Sequence, residues 1–343
     1  MREISYLLWM KFDKIYQHDK QFLSITSLLP EEFDVLFAAF EPRWLQWYKH
    51  FTFRLQRRNK PLTARKMYSP TKTLPSNESK LFFILYLYKV HPLQDIAAAT
   101  FEMNQGQVSK WRKVLTPILL KSLEDLGLQA ARSTEELVRL FRSRQRQKSS
   151  KDHSDSLHLD ATERPIERNL DYSTQKHDYS GKQGCHTVKN SVLCDEHQFI
   201  HYLGYTWRGA IHDRAMIDEE LPQLTADCFN ELWLSKDTGY QGYRPPGVHL
   251  LEPFKAFRNR PVTKIEKEMN RWISSIRVVV ENAIGGMKRL RATSERIRNF
   301  SVDKADQIIS VAAGLHNLRV VHRKEAYTYA TSCVRANLHS FRS

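Results

Sequence analysis

Three acidic residues, each set in a distinctive phrase, could share one chemistry: Asp160 in HLDATERPI, Asp237 in LWLSKDTGYQGY and Glu281 in SIRVVVENAIGGMKR. Carboxylates are hard oxygen donors. A few of them suffice for Mg²⁺, which keeps several waters and lets phosphate oxygens complete an octahedral shell. Two such ions about 3.5–4 Å apart can activate a nucleophile and neutralise the leaving oxygen of a phosphodiester. On that reading Asp160 bridges two ions, Asp237 holds one and Glu281 the other. Taken singly, each acid has a plainer explanation, since an Asp at a strand end commonly forms a turn or cap and a Glu on a basic helix commonly pairs at i,i+4. Arg277 and Lys288 lie four residues before and seven after Glu281, on one helical face. A carboxylate flanked by two cations suits a place where metal and DNA phosphate meet, although a surface ion-pair ladder would read the same way.

The trio can converge only if the fold brings distant segments together. From His158 the pattern turns to strands: SLHLDAT, then CHTVKNSVLCDE and QFIHYLGYTW with a polar turn at Glu196-His197. A helix containing AMIDEELPQL follows, then a fourth strand, ELWLSKD, with GVHLLEPF as a possible fifth. A long helix over roughly 264–290 and a C-terminal helix, ADQIISVAAGLHNLRVVHR, complete the order. This succession predicts an α/β domain of the ribonuclease-H-like class over 157–343, a mixed sheet with flanking helices. In that fold the first acid lies on the central first strand, the second at the end of the fourth strand beside it, and the third on a later helix. Asp213 competes for the second slot, but His212-Asp213 opens the helix before the fourth strand, where an Asp is a natural cap. We therefore take Asp237 as the ligand and keep His212 and Asp213 as accessory residues, His212 being either a polar partner for DNA or water or a structural histidine.

The N-terminal region reads as all helical. Residues 1–60 are rich in aromatic residues, with a helix start at Pro30-Glu31-Glu32, and suit a cap or dimerisation element. Residues 61–77 form a proline-marked linker. Within 78–138, ESKLFFILYLYKV is too apolar for a surface helix, and HPLQDIAAATF, the turn EMN and QGQVSKWRKVLTPILLKSLEDLGL follow as a helix-turn-helix pattern. Val108, Trp111, Leu115 and Ile118 make its inward stripe and Asn104 its cap, leaving Gln105, Gln107, Lys110, Arg112 and Lys113 facing DNA. An ordinary helical hairpin has the same pattern. The polar run 139–156 is read as a basic linker between domains.

Composition narrows the partner. The 343 residues exceed a single core and predict two or three domains, and the formal charge of +15 calls for a polyanion. Residues 1–150 hold 25 Lys/Arg against 14 Asp/Glu, whereas 151–343 hold 28 against 24. The excess concentrates in two runs: 49–66 has seven basic residues and 139–151 has six, neither with an acid. Such runs fit phosphate contact, or plain solvation. No apolar stretch approaches a membrane span and the N-terminus does not read as a secretory signal, so we expect an intracellular protein with no membrane partner. Cys185, Cys194, Cys228 and Cys333 lack zinc-type spacing and are expected to be buried thiols.

Four phrases carry a family likeness: LDAT at the first acid, GAIHDRAMID, the D-x-GY string Asp237-Thr238-Gly239-Tyr240, and the R-x3-E-x6-K string Arg277, Glu281, Lys288. With them the chain resembles the DDE transposases of bacterial insertion sequences, in the branch whose catalytic domain is shared with the eukaryotic Harbinger transposases. The likeness runs along residues 157–320, with IAAATFEMNQGQVSKWRKVL similar to the helix-turn-helix that precedes it. It implies an Mg²⁺-dependent endonuclease and strand-transfer enzyme, Mn²⁺ substituting. The implied partners are double-stranded DNA, as terminal inverted repeats and target, and further copies of the chain in a homodimer or larger synaptic assembly, in the bacterial cytoplasm at the nucleoid. A related group has Tyr three residues before the Arg, where this chain has Ser274, and Ala161 replaces a frequent Gly. Two rival readings are a domesticated DNA-binding regulator without transposition, and a ribonuclease-H-like nuclease acting on hybrids or junctions.

Overall fold

The computed structural model describes residues 12–67, 71, 73–147, 156–221, 229–298 and 300–323. The first residues of the aromatic N-terminal region, parts of both linkers, Cys228 and Cys333 lie outside the described residues. The chain divides into two compact units, one holding the described residues up to 129 together with 289–292, the other holding 130–288 and those from 293 onward.

The first unit is helical: α1 (Phe12–Tyr16), α2 (Asp19–Thr26), α3 (Pro30–His50), α4 (Ala64–Met67), α5 (Asn77–Val90), α6 (Gln94–Thr100) and α7 (Gln105–Asp125). Between Phe12 and Thr26 the chain forms two helices, broken after Tyr16. The N-cap of α3 is Leu29, whose backbone N–H donates to Glu32 Oε2 at 2.8 Å, so an acid three residues inside the helix satisfies an end that Leu cannot. As its sequence requires, α5 is buried nearly all round. In α7, Asn104 accepts from Gln107 N at 2.8 Å while Gln107 Oε1 accepts from Asn104 N at 2.9 Å, a reciprocal cap. Val108, Trp111, Leu115 and Ile118 are all buried, with Trp111 against the Trp44 ring at 5.8 Å.

The second unit begins with α8 (Thr134–Gln147), so the basic run expected to be linker continues a helix as far as Gln147. A mixed sheet follows: β1 (Ser156–Pro165), α9 (Tyr172–Asp178), β2 (Tyr179–Ser180), β3 (Cys185–Asp195), β4 (Ile200–Leu203), β5 (Trp207–Arg208), α10 (Asp213–Glu220), β6 (Trp233–Lys236) and β7 (His249–Leu251). Then come α11 (Lys264–Lys288), α12 (Arg291–Ser294) and α13 (Val302–Arg323). The strand order is β2-β3-β1-β6-β7, with β4 and β5 pairing β3. β1 is central: antiparallel to β3, parallel to β6, which is parallel to β7. The segment expected as one third strand is interrupted into β4 and β5, and α9 and β2 went unforeseen because their polar sequence has no apolar period.

One sheet face is packed by a cluster including Leu157, Leu159, Leu193, Tyr202, Ile217, Phe229, Leu234 and Tyr240. α11 and α13 pack on each other, and both contact the sheet. Asn317 on α13 takes both backbone groups of Ile200, at 2.8 and 2.9 Å, and Arg164 on β1 donates to Ala305 O at 2.7 Å. A methyl group at Gly286 would run into the His316 imidazole, so the glycine in ENAIGGMK lets α11 approach α13. Cys185 is a half-buried thiol and Cys194 a buried one.

Candidate active site

Asp160 and Asp237 owe their juxtaposition to strand register. β1 and β6 run in parallel with Leu159 opposite Lys236, so the next residue along each is one of the two acids, Asp160 within β1 and Asp237 just past the end of β6. Neighbouring strands stand roughly 4.8 Å apart. Upstream, His158 and Ser235 face each other across the same pair, joined at 2.8 Å from Nδ1 to Oγ, which fixes the register that aligns the acids. Beyond β6 the chain enters a 3₁₀ turn, Thr238–Tyr240, capped by Asp237 Oδ1 accepting from Thr238 N at 2.7 Å. The fully buried Lys236 clamps that turn, donating to Tyr240 O at 3.1 Å and pairing with Glu252. Asp160 Oδ1 likewise accepts from the next backbone N–H, Ala161, at 2.8 Å.

Arg277 on α11 lies between the two acids. Its Nη2 stands 3.3 Å from Asp160 Oδ2 and its Nη1 3.4 Å from Asp237 Oδ1, while Nε is buried without a partner among the described residues. Charge-assisted pairs at their best close to about 2.7–2.9 Å, so this guanidinium is shared loosely. Burial pushes the Asp160 carboxyl above its ordinary pKa and the charge of Asp237 pushes the same way, with Arg277 the main opposing influence. Lys182, in the loop before β3, also favours the ionised form.

Glu281 is one turn beyond Arg277 on the same face of α11. It is exposed and makes no hydrogen bond or ion pair among the described residues. Lys288, exposed to solvent, follows two turns later, and partial desolvation lowers its pKa against the pull of Glu163 and Asp160. The face of α11 thus meets Asp160 at Arg277, with Glu281 and Lys288 following along it. Among the described residues, no three His, Cys, Asp or Glu side chains are gathered closely enough to hold a metal ion. The structure brings Asp160 and Asp237 together and leaves Glu281 on the adjacent face with its oxygens uncommitted.

The accessory pair is placed differently. His212, not Asp213, is the N-cap of α10, its Nδ1 accepting from Arg214 N at 3.3 Å. Asp213 pairs with the buried Lys189 at 3.1 Å, which also faces Glu163 at 3.6 Å. A methyl group at Gly239 would stand 2.9 Å from Asp213 Oδ2, so the glycine of the D-x-GY string lets the turn after Asp237 settle on Asp213. Glu163, Lys189 and Lys182 were missed by sequence reasoning; the first two are register partners on β1 and β3, a relation that only the sheet reveals.

Of the residues expected to face DNA, Gln105, Lys110 and Lys113 are exposed on α7. The Gln107 carbonyl is engaged in the cap, and the half-buried Arg112 lies against the buried hydroxyl of Tyr88.

Residues 159–317 match the family model described as DDE superfamily endonuclease, a segment that contains all three acids. That family implies a ribonuclease-H-like fold for the second unit. A probable transposase for insertion sequence element IS702 from Microchaete diplosiphon is 34% identical over 145 residues, covering 41% of this chain and 49% of the relative. The chain therefore matches about half the length of that relative. No solved structure matches it. The likeness to DDE transposases of insertion sequences, first read from the motifs, is supported by both findings. Among the described residues, no helix is long and apolar enough to cross a membrane.

Proposed function

We propose that this chain is a DNA transposase that binds the terminal inverted repeats of a mobile element, cleaves its ends and joins the liberated 3′-hydroxyls to target DNA. The observation that carries the reading is the juxtaposition of Asp160 on β1 and Asp237 just past the parallel β6 with one shared cation between them, beside the uncommitted Glu281. A half-buried carboxyl whose pKa is raised chiefly by burial stands next to a second carboxylate, and the donor set is all hard oxygen, which fits Mg²⁺ or Mn²⁺. Asp160, Asp237 and Glu281 would hold the ions. When bound, divalent ions supply activation of water or a 3′-hydroxyl and charge neutralisation at the leaving oxygen.

The chain's own groups do the rest. The β1–β6 register holds the two aspartates at a fixed spacing, and the Lys236 clamp keeps the turn after Asp237 from drifting. Arg277 holds the carboxylates apart from each other's charge and, with Lys288, offers cations to DNA phosphate on the same helical face. Gln105, Lys110 and Lys113 are the side chains best presented for a duplex, with the two basic runs adding phosphate contacts.

The test is incubation with DNA carrying the element's own ends and Mg²⁺. Wild-type protein should nick at the element boundary, and Asp160→Ala, Asp237→Ala and Glu281→Ala should each abolish nicking while binding the same DNA normally. Normal strand transfer by any of these variants would remove that residue from the mechanism.

A further inference from the structure

The first turns of α11 are sparsely covered among the described residues. No residue from 252 to 272 is buried, whereas further along the helix Ile273, Val280, Ala283, Ile284 and Met287 are. Phe254, Phe257, Ile265, Met269 and Trp272 are 39–71% exposed in this stretch. The loop is nonetheless fastened to the helix. Asn270 accepts from Phe254 N at 2.8 Å and donates to Phe254 O at 2.9 Å, and Glu266 takes Arg260 at 2.7 Å and Thr263 N at 2.8 Å. None of the three rings packs on another aromatic ring among the described residues, and each is 39–56% exposed.

Cations are interleaved with the apolar groups. Residues 254–272 carry Lys255, Arg258, Arg260, Lys264, Lys267 and Arg271 against Glu266 and Glu268, and Glu266 is already engaged by Arg260. That excess of positive charge would repel a second copy of the same surface. It suits a polyanion whose units also present flat π-faces, which is the chemistry of single-stranded DNA. Duplex DNA offers phosphates but keeps its base faces stacked away. Trp272 stands five residues before Arg277 on one helix, roughly 7.5 Å along its axis and about 140° around it.

We infer that residues 254–272 form a platform on which unpaired nucleotides of the bound DNA stack. The inference rests on the transposase reading. The test uses the full chain and fluorescence anisotropy with a short blunt duplex and the same duplex carrying an oligo-dT extension. Wild-type protein should bind the extended duplex at least about fivefold more tightly. Trp272→Ala and Phe257→Ala, both at exposed positions, should each erase most of that margin and leave blunt-duplex affinity unchanged, and Trp272→Phe should restore it. Equal affinity of wild type for the two duplexes overturns the platform, as does a preference that both Ala variants retain. Dissociation of a self-associated species by Trp272→Ala, with the preference intact, would assign the surface to a second copy instead. Failure of wild type to bind either duplex would overturn the DNA-binding reading itself.

Discussion

Two places in the second unit set one cation between two carboxylates, and they differ in how completely the cation is satisfied. At the first, Lys189 meets Asp213 at 3.1 Å and Glu163 at 3.6 Å, and also donates to Ile211 O at 3.0 Å. Glu163 in turn accepts from Thr187 Oγ1 at 2.9 Å. At the second, Arg277 reaches Asp160 and Asp237 only at 3.3 and 3.4 Å, with Nε unpaired among the described residues and the Asp160 pKa raised. The first cluster is closed and the second is open to exchange. This is the physical ground for choosing Asp237 over Asp213 as a metal ligand: a carboxylate tied to a well-satisfied ammonium is expensive to release, whereas one sharing a loosely held guanidinium is ready for a stronger cation.

The largest expected effect comes from breaking the closed cluster. In Lys189→Met, Glu163 and Asp213 lose their common cation in a site where the lysine side chain is 10% exposed. Removing one partner of such a buried pair costs about 3–5 kcal/mol. Urea denaturation should show that loss, with nicking per folded molecule largely kept. If Lys189→Met matched wild type in stability, the two clusters would not differ in the way described.

A middle-sized effect separates the clusters by rescue. Arg277→Ala leaves Asp160 and Asp237 facing each other without a cation, so in chelator the variant should melt below wild type. Mg²⁺ or Mn²⁺ at about a hundredfold over its dissociation constant stabilises a folded site by about 2.7 kcal/mol. Thermal melts with and without metal should therefore restore much of the loss in Arg277→Ala and none of it in Lys189→Met. Rescue of both variants, or of neither, would mean that the carboxylates at Arg277 are no more available than those at Lys189.

How much of this could be read from the chain depended on whether the determinant was local. Asp160, Asp237 and Glu281 sit in phrases whose strand or helix character is set by nearby residues, and the strand order that aligns the first two follows from a simple succession of elements. The Asn104 cap and the inward stripe of α7 were legible for the same reason. What could not be read was pairing at a distance. Lys189 and Glu163 are neighbours only through the β1–β3 register, and nothing in GKQGC points Lys182 toward Asp160. The cap of α10 went to His212 because the chain turns one residue earlier than an Asp-first rule supposes. Residues up to Gln147 stayed helical because Leu137, Val138, Leu140 and Phe141 give α8 an apolar face to bury, outweighing the basic run that suggested a linker.

The smallest effect concerns the open cluster in the absence of metal. A carboxyl with its folded pKa above its unfolded value favours folding in the protonated form, and that contribution, fully present below the unfolded pKa near 4, disappears as pH rises through the folded pKa. At neutral pH the ionised Asp160 is thus a net cost of the apo fold. Asp160→Asn keeps the shape and removes the charge, and should stabilise the metal-free protein by about 1 kcal/mol, or roughly 2–4 °C for a unit of this size. The gain should be present at neutral pH in chelator, shrink toward zero as the pH falls below about 4, and turn to a deficit when Mg²⁺ is added, because only wild type can use the ion. A variant less stable than wild type in chelator would show that Arg277 already compensates Asp160 as fully as Lys189 compensates Asp213, and the distinction between an open and a closed cluster would fall.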